Sequence, residues 1–174
     1  MEKLKAIRML SIVLALSVFM VSCGDDDQEP TPEIVQKVYT MNSVSDPAIS
    51  GTITFTKQDE STTMVKIELT GTEAGNSHPA HIHANSASQG GPIVIGLESV
   101  DGGTGVSETA VSELNNGTPI TYEQLLNFDG HANVHLSTSA MATLVAQGNV
   151  GSNSGGENNG DDDDDDPGNG GNGY

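Results

Sequence analysis

The 174-residue sequence has a single cysteine, no tryptophan, and only three phenylalanines and three tyrosines. One thiol cannot form an intramolecular disulfide, so an apolar core has to hold the fold. Positive charge is equally scarce. Beyond Cys23 the only basic side chains are Lys37, Lys57 and Lys66, and no arginine occurs there, whereas all but Glu2 of the 24 acidic residues lie in that part. A formal net charge of −18 repels polyanions, which excludes nucleic acid as a partner and leaves cations as the attracted class. The glycines of Gly102-Gly103-Thr104-Gly105 lack the following lysine and the strand–loop–helix setting of a phosphate loop. Serine-nucleophile and paired-carboxylate chemistry find no support either.

One long apolar run is present, Met9 to Val21, shorter than a spanning helix needs. Lys3, Lys5 and Arg8 precede it, which is the layout of an export signal. Directly behind it stands Met20-Val21-Ser22-Cys23-Gly24, which resembles the lipobox of bacterial lipoproteins, with Met20 where leucine is usual. The resemblance implies that residues 1–22 form a lipoprotein signal peptide and that Cys23 is lipidated, so that the exported chain is anchored to the outer membrane. Several acyl chains, at ~0.8 kcal/mol per buried methylene, hold a protein firmly there. Residues 23–33 read as an acidic tether. Its Asp25-Asp26-Asp27 is similar to surface-export signals of some Gram-negative lipoproteins, or is a plain spacer. Periplasmic and outward-facing orientations both stay open. At the other end, residues 151–174 collapse to Gly, Asn, Ser and Asp with six consecutive aspartates, and are expected to be disordered. A calcium loop does not fit this tail, because Tyr174 falls where the closing glutamate belongs.

Between these ends the pattern is that of short strands. Ile49 to Thr56 and Thr63 to Thr70 alternate apolar and polar residues around a polar turn, Gln58 to Ser61, which predicts a hairpin with one buried face. Ile34 to Val44, Ala80 to Asn85, Ile93 to Leu97, Val106 to Leu114, His131 to Ser137 and Met141 to Val150 are further strand candidates, with the strongly apolar Ile93 to Leu97 read as a buried strand and Gly71 to Ser77 as a loop. Thr121, with Gln124 three residues on, caps one short helix ending near Asn127. Seven or eight strands and one helix over residues 34–150 predict an all-β fold, an antiparallel Greek-key-like β-sandwich.

All five histidines fall into two windows, His78-Pro79-Ala80-His81-Ile82-His83 and Gly130-His131-Ala132-Asn133-Val134-His135. On a strand, His81 and His83 share one face while Ile82 takes the other, and the two Cβ atoms lie about 6–7 Å apart. Val134 makes the same argument for His135 on a second strand. Neutral imidazole is the commonest metal ligand, so His81, His83 and His135 form the candidate metal site. His78 and His131 are outer candidates. His78 precedes Pro79 at the strand entrance, and His131 lies about 13 Å from His135 along an extended strand. Copper(II) binds such nitrogens most tightly in the divalent series, and zinc is compatible with the same ligands.

Ala80-His81-Ile82-His83, the Gly90-Gly91-Pro92-Ile93-Val94-Ile95 segment and Asn133-Val134-His135 together resemble the chordin-type CHRD domain, over about residues 34 to 150. A lipobox followed by one such domain is similar to the bacterial members. Where that family usually closes on Gly-Glu-Ile-Arg-Gly-Gln, this chain has Ala142 to Gln147, with Thr143 and Val145 replacing the Glu/Arg pair. A more distant likeness is to copper/zinc superoxide dismutase. It implies a superoxide-dismutase-like sandwich with His81, His83 and His135 as copper ligands, but the zinc loop, disulfide and guiding arginine of that family have no counterpart. Three functions follow as expectations. The first is a membrane-anchored, non-enzymatic metal-binding module. The second is a structural or interaction domain with packing histidines. The third is a dismutase-like redox enzyme, whose anionic substrate the acidic surface would repel.

Overall fold

Alternating sequence becomes antiparallel ladder in the computed structural model, which describes residues 34–156. The strands are β1 Gln36–Ser43, β2 Ser50–Lys57, β3 Thr63–Thr70, β4 Ser77–Ala84, β5 Ile93–Asp101, β6 Val106–Val111, β7 Asp129–His135 and β8 Leu144–Gly151. Their order around the sheet is β1-β2-β3-β6-β5-β4-β7-β8, and the sheet closes into a barrel. The signal peptide, Cys23, the acidic tether and the tail from residue 157 lie outside the described residues.

The β2–β3 hairpin is as the alternation requires. Ile53 and Phe55 on β2, and Val65 and Ile67 on β3, are buried in the core. Burying each such side chain stabilises by roughly 1.5–3 kcal/mol. Asp59 holds the connecting turn, its Oδ1 accepting from the Ser61 and Thr62 N–H groups at 2.8 Å each. The short helix α1, Tyr122–Leu126, carries the expected cap. The Thr121 N–H donates to Gln124 Oε1 at 2.8 Å and the Gln124 N–H donates to Thr121 Oγ1 at 3.3 Å, satisfying two backbone donors reciprocally. Tyr122 and Leu125 turn inward onto the core.

Two joints of the ladder are narrow. β1 and β8 pair only at Asn42–Gln147 and Ser43–Ala146, and β5 and β6 only at Asp101–Val106. Between the joints stand two four-stranded halves, β1-β2-β3-β6 and β5-β4-β7-β8. The sequence pattern led to two packed sheets; the structure has one sheet closed on itself. Side chains carry the β5–β6 joint where the strands splay. Thr109 Oγ1 accepts from the Glu98 N–H at 2.9 Å, Asn115 Oδ1 accepts from the Gly96 N–H at 3.1 Å, and the Asn115 N–H donates to the Val94 carbonyl at 2.9 Å.

Three expectations need correction. β4 begins at Ser77, so His78 is inside the strand and 1% exposed rather than at its entrance. Pro79 is accommodated where the β4–β5 register shifts between His78 and Ala80, since a proline can sit where no ladder hydrogen bond is required of it. The run Ile93 to Leu97 is only partly buried: Ile95 is in the core, whereas Ile93 is 43% exposed. A second register shift, between Ile82 and His83, pairs Ile93 with the outward His83. Finally, order continues past residue 150. β8 ends at Gly151 and a 3₁₀ turn follows over Ser152–Gly156. Asn153 Nδ2 donates to Asp129 Oδ1 at 2.6 Å and to the Gly130 carbonyl at 3.2 Å, so side-chain hydrogen bonding fixes a segment that buries little apolar surface.

Candidate metal centre

On β4, Ile82 is fully buried while His81 and His83 are half-buried on the outer face. β7 lies beside it, with His81 opposite Asn133 and His83 opposite His131. Ala132 and Val134 point into the core, so His131, Asn133 and His135 share the outer face with the β4 pair. β7 is buried on both faces from Gly130 onward. The His81 and His83 ring centroids are 6.1 Å apart, and His135, diagonal to His81, brings its ring to 5.3 Å from it.

One ring nitrogen from each of His81, His83 and His135 lies within 4.8 Å of the other two. Nitrogens that share an ion at 2.0–2.1 Å in tetrahedral or trigonal geometry are about 3.3–3.6 Å apart, so side-chain rotations that close these gaps by up to about 1.5 Å complete a three-nitrogen site. The donor chemistry fits a metal as well. His81 Nδ1, His83 Nε2 and His135 Nε2 are each buried without a hydrogen-bond partner, and a buried polar atom left alone is costly. The opposite nitrogens of two of these rings are occupied. His83 Nδ1 donates to the Gly91 carbonyl at 2.9 Å, and His135 Nδ1 donates to the Met141 carbonyl at 2.6 Å. A carbonyl only accepts, so Nδ1 carries the proton and Nε2 keeps its lone pair toward the site. Desolvation, then the neighbouring His135 and His83, lower the His81 pKa below the ordinary histidine value. Desolvation also lowers that of His135, against the bond to Met141. Both shifts favour the neutral form, which a ligand must have.

The two outer candidates behave differently. His131 has both nitrogens engaged: Nδ1 donates to the Asn85 carbonyl at 2.7 Å, and Nε2 faces Asn133 Nδ2 at 3.5 Å. Its ring stacks on His83, with centroids 5.0 Å apart and planes 22° apart. His78 shares the inward face of Ala80 by alternation. Its Nδ1 donates to the His135 carbonyl at 3.2 Å, which leaves Nε2 buried without a partner. The structure brings His81, His83 and His135 together and leaves His78 and His131 as their supports.

Residues 35–150 match the CHRD domain. The chain belongs to the CHRD domain family. No curated protein matches it. In this CHRD domain several residues around the site escape a reading of side-chain types. Gly91 and Met141 act through their carbonyls, which no residue identity reveals. Gly91 can lie there because it has no Cβ, which would run into the Ala84 carbonyl. Asn133 and Gln147 sit in register across β7 and β8, Gln147 Nε2 donating to Asn133 Oδ1 at 2.8 Å. Asn85 was signalled only by being an asparagine at a strand end, the non-glycine residue that best tolerates a left-handed backbone.

Proposed function

We propose that this protein is an exported, lipid-anchored CHRD-domain module that binds one transition-metal ion through His81, His83 and His135, without enzymatic turnover. The observation that carries this reading is the convergence of His81, His83 and His135 to within 4.8 Å by one ring nitrogen each, every one of these rings also having a buried nitrogen without a hydrogen-bond partner. The packing alternative suits His131, whose nitrogens are both engaged, but leaves a buried unpartnered nitrogen on each of the other four rings, of which His81, His83 and His135 converge. Copper is favoured over zinc because copper(II) binds nitrogen ligands most tightly in the divalent series. When bound, the ion would supply Lewis acidity or, as copper, a redox couple. The residues hold it and limit water access. The strand order also supports a Greek-key, superoxide-dismutase-like reading of the fold: β7 returns to lie beside β4, the first of the consecutive strands β4, β5 and β6, which is the arrangement that defines the motif. Anchoring at the outer membrane rests on the lipobox-like Met20 to Gly24 and the basic-then-apolar segment before it.

Calorimetry with copper(II) and zinc(II) on the wild type and the His81→Ala, His83→Ala and His135→Ala variants tests the site. Binding at micromolar affinity or better, lost in each variant, is the expected result. Wild type that binds neither ion, or a triple variant that binds as well as wild type, returns the histidines to a packing role. Replacing Cys23 with serine and following membrane fractionation and acyl labelling tests the anchor. Continued membrane association of a correctly processed C23S chain would refute it.

A further inference from the structure

The loop between β4 and β5 is tied down more thoroughly than an exposed connection requires. It opens at Asn85, whose φ of 65° makes it the one described non-glycine residue with a positive φ. Three hydrogen bonds meet there. The Asn85 N–H donates to the Asp129 carbonyl at 2.9 Å, and its side-chain Nδ2 donates to the Gly90 carbonyl at 2.9 Å. Its own carbonyl accepts from His131 Nδ1 at 2.7 Å. Farther along, Ala87 N–H donates to Asn149 Oδ1 at 2.8 Å. The residue after Gly90 is Gly91, whose carbonyl accepts from His83 Nδ1. Thus the group that sets the His83 tautomer sits one residue beyond the point that the Asn85 side chain holds. His131 fixes the other end of the same loop while its ring stacks on His83.

We infer that Asn85 and His131 are positioning residues that together hold the loop from Asn85 to Gly91, so that the Gly91 carbonyl keeps His83 in the Nδ1–H tautomer with Nε2 turned to the ion. The inference rests on the metal site proposed above, but its first consequence appears without metal. A backbone kept in the left-handed region costs energy unless the surroundings fix it, and here the surroundings are these hydrogen bonds. His131 thereby has a use that needs no coordination: its Nδ1 proton goes to Asn85, and its Nε2 is directed by Asn133, which is in turn held by Gln147.

The test is nitrogen-15 NMR of the histidine rings in the metal-free protein, paired with zinc(II) calorimetry. Two variants separate the ends of the clamp. Asn85→Gly keeps the positive φ without strain and removes only the bond to Gly90. His131→Phe keeps a stacked ring and removes the donor to Asn85. Wild type is expected to show His83 in the Nδ1–H form, and both variants to show exchange between the two tautomers. Zinc affinity should fall about 10- to 100-fold in each, the range for residues that orient a metal-bound histidine. A general loss of stability would not move the His83 tautomer in the folded protein, so this spectrum distinguishes positioning from a purely structural role. Should H131F fail to fold, N85G decides alone. Unchanged His83 nitrogen shifts in folded N85G would overturn the clamp. Wild type that binds no zinc or copper, with His83 shifts that still respond to N85G, would leave the clamp standing and remove the metal site.

Discussion

In the half of the barrel built from β1, β2, β3 and β6, the outward residues Thr52, Thr54, Lys66 and Glu68 are half-buried or exposed, and Lys66 reaches Glu68 at 2.8 Å. In the half built from β5, β4, β7 and β8, the outward residues His131, Asn133 and His135 are buried. The inner faces do not differ in kind: Ile53, Phe55 and Ile67 line one, and Ile82, Ala132 and Val134 the other. The same alternation therefore yields an ordinary solvated face over β2 and β3 and a covered, polar outer face on β7, beside the half-buried His81 and His83 of β4. This polar face is reached by carbonyls from the loops after β4 and after β7, through Gly91 and Met141. The candidate site lies where the covered outer face of β7 meets the half-buried one of β4, and a buried ring nitrogen there is costly unless it finds a partner.

The widest expected gap between the halves is in metal affinity. Removing His81, His83 and His135 together should abolish copper(II) and zinc(II) binding by calorimetry, whereas Thr54→Ala and Lys66→Ala should leave it unchanged. A loss of affinity in the latter pair would mean that the ion is held elsewhere. The cores should instead respond alike. Ile53→Ala and Ile82→Ala are each expected to cost about 2–5 kcal/mol by denaturant unfolding. A cost confined to one of them would show that the halves do not share one core.

The pH response should again come from one half. His81, His131 and His135 have pKa values lowered chiefly by desolvation, so the unfolded chain takes up their protons first as pH falls. Their contribution to stability is complete above the ordinary histidine value of about 6.5 and is lost as pH drops through their folded values. The melting temperature of the metal-free protein should therefore fall below about pH 6.5. His81→Phe should flatten that fall, and an unaltered slope would assign it to other groups. The smallest effect concerns the N-terminal end of β7, where Asn153 bonds to Asp129 and Gly130. A chain ending at Gly151 should be less stable than one ending at Gly156 by about 1–2 kcal/mol, since the Ser152 and Asn153 hydrogen bonds go with the segment and each is worth roughly 1 kcal/mol or less at an exposed end. Equal melting temperatures would show that Asn153 contributes nothing to folding.

How much of this was legible depended on whether a feature lives in one strand or between several. The β2–β3 hairpin, the Thr121 cap and the common face of His81 and His83 follow from local periodicity, and the structure has them. The placement of His135 was also legible, because Val134 fixes the parity of its strand. Closure of the barrel was not, since it depends on Thr109 and Asn115 bridging strands that splay apart. Nor was the burial of His78, because Pro79 marks a strand end in most settings and only the register shift beside it allows otherwise. The outward turn of Ile93 has the same origin. Register shifts are agreements between neighbouring strands, and neither strand records them alone.

The carbonyls of Gly91 and Met141 also settle a proton inventory. Each already holds the proton of a ring nitrogen, His83 Nδ1 and His135 Nδ1, and leaves the unpartnered Nε2 with its lone pair, so a metal binding as proposed would have no proton to displace from those two rings. The heat of zinc binding at about pH 7.5 should then be nearly the same in buffers of very different ionisation enthalpy. In that respect the site would behave as a finished chelator, whereas most protein sites release protons when they take up metal.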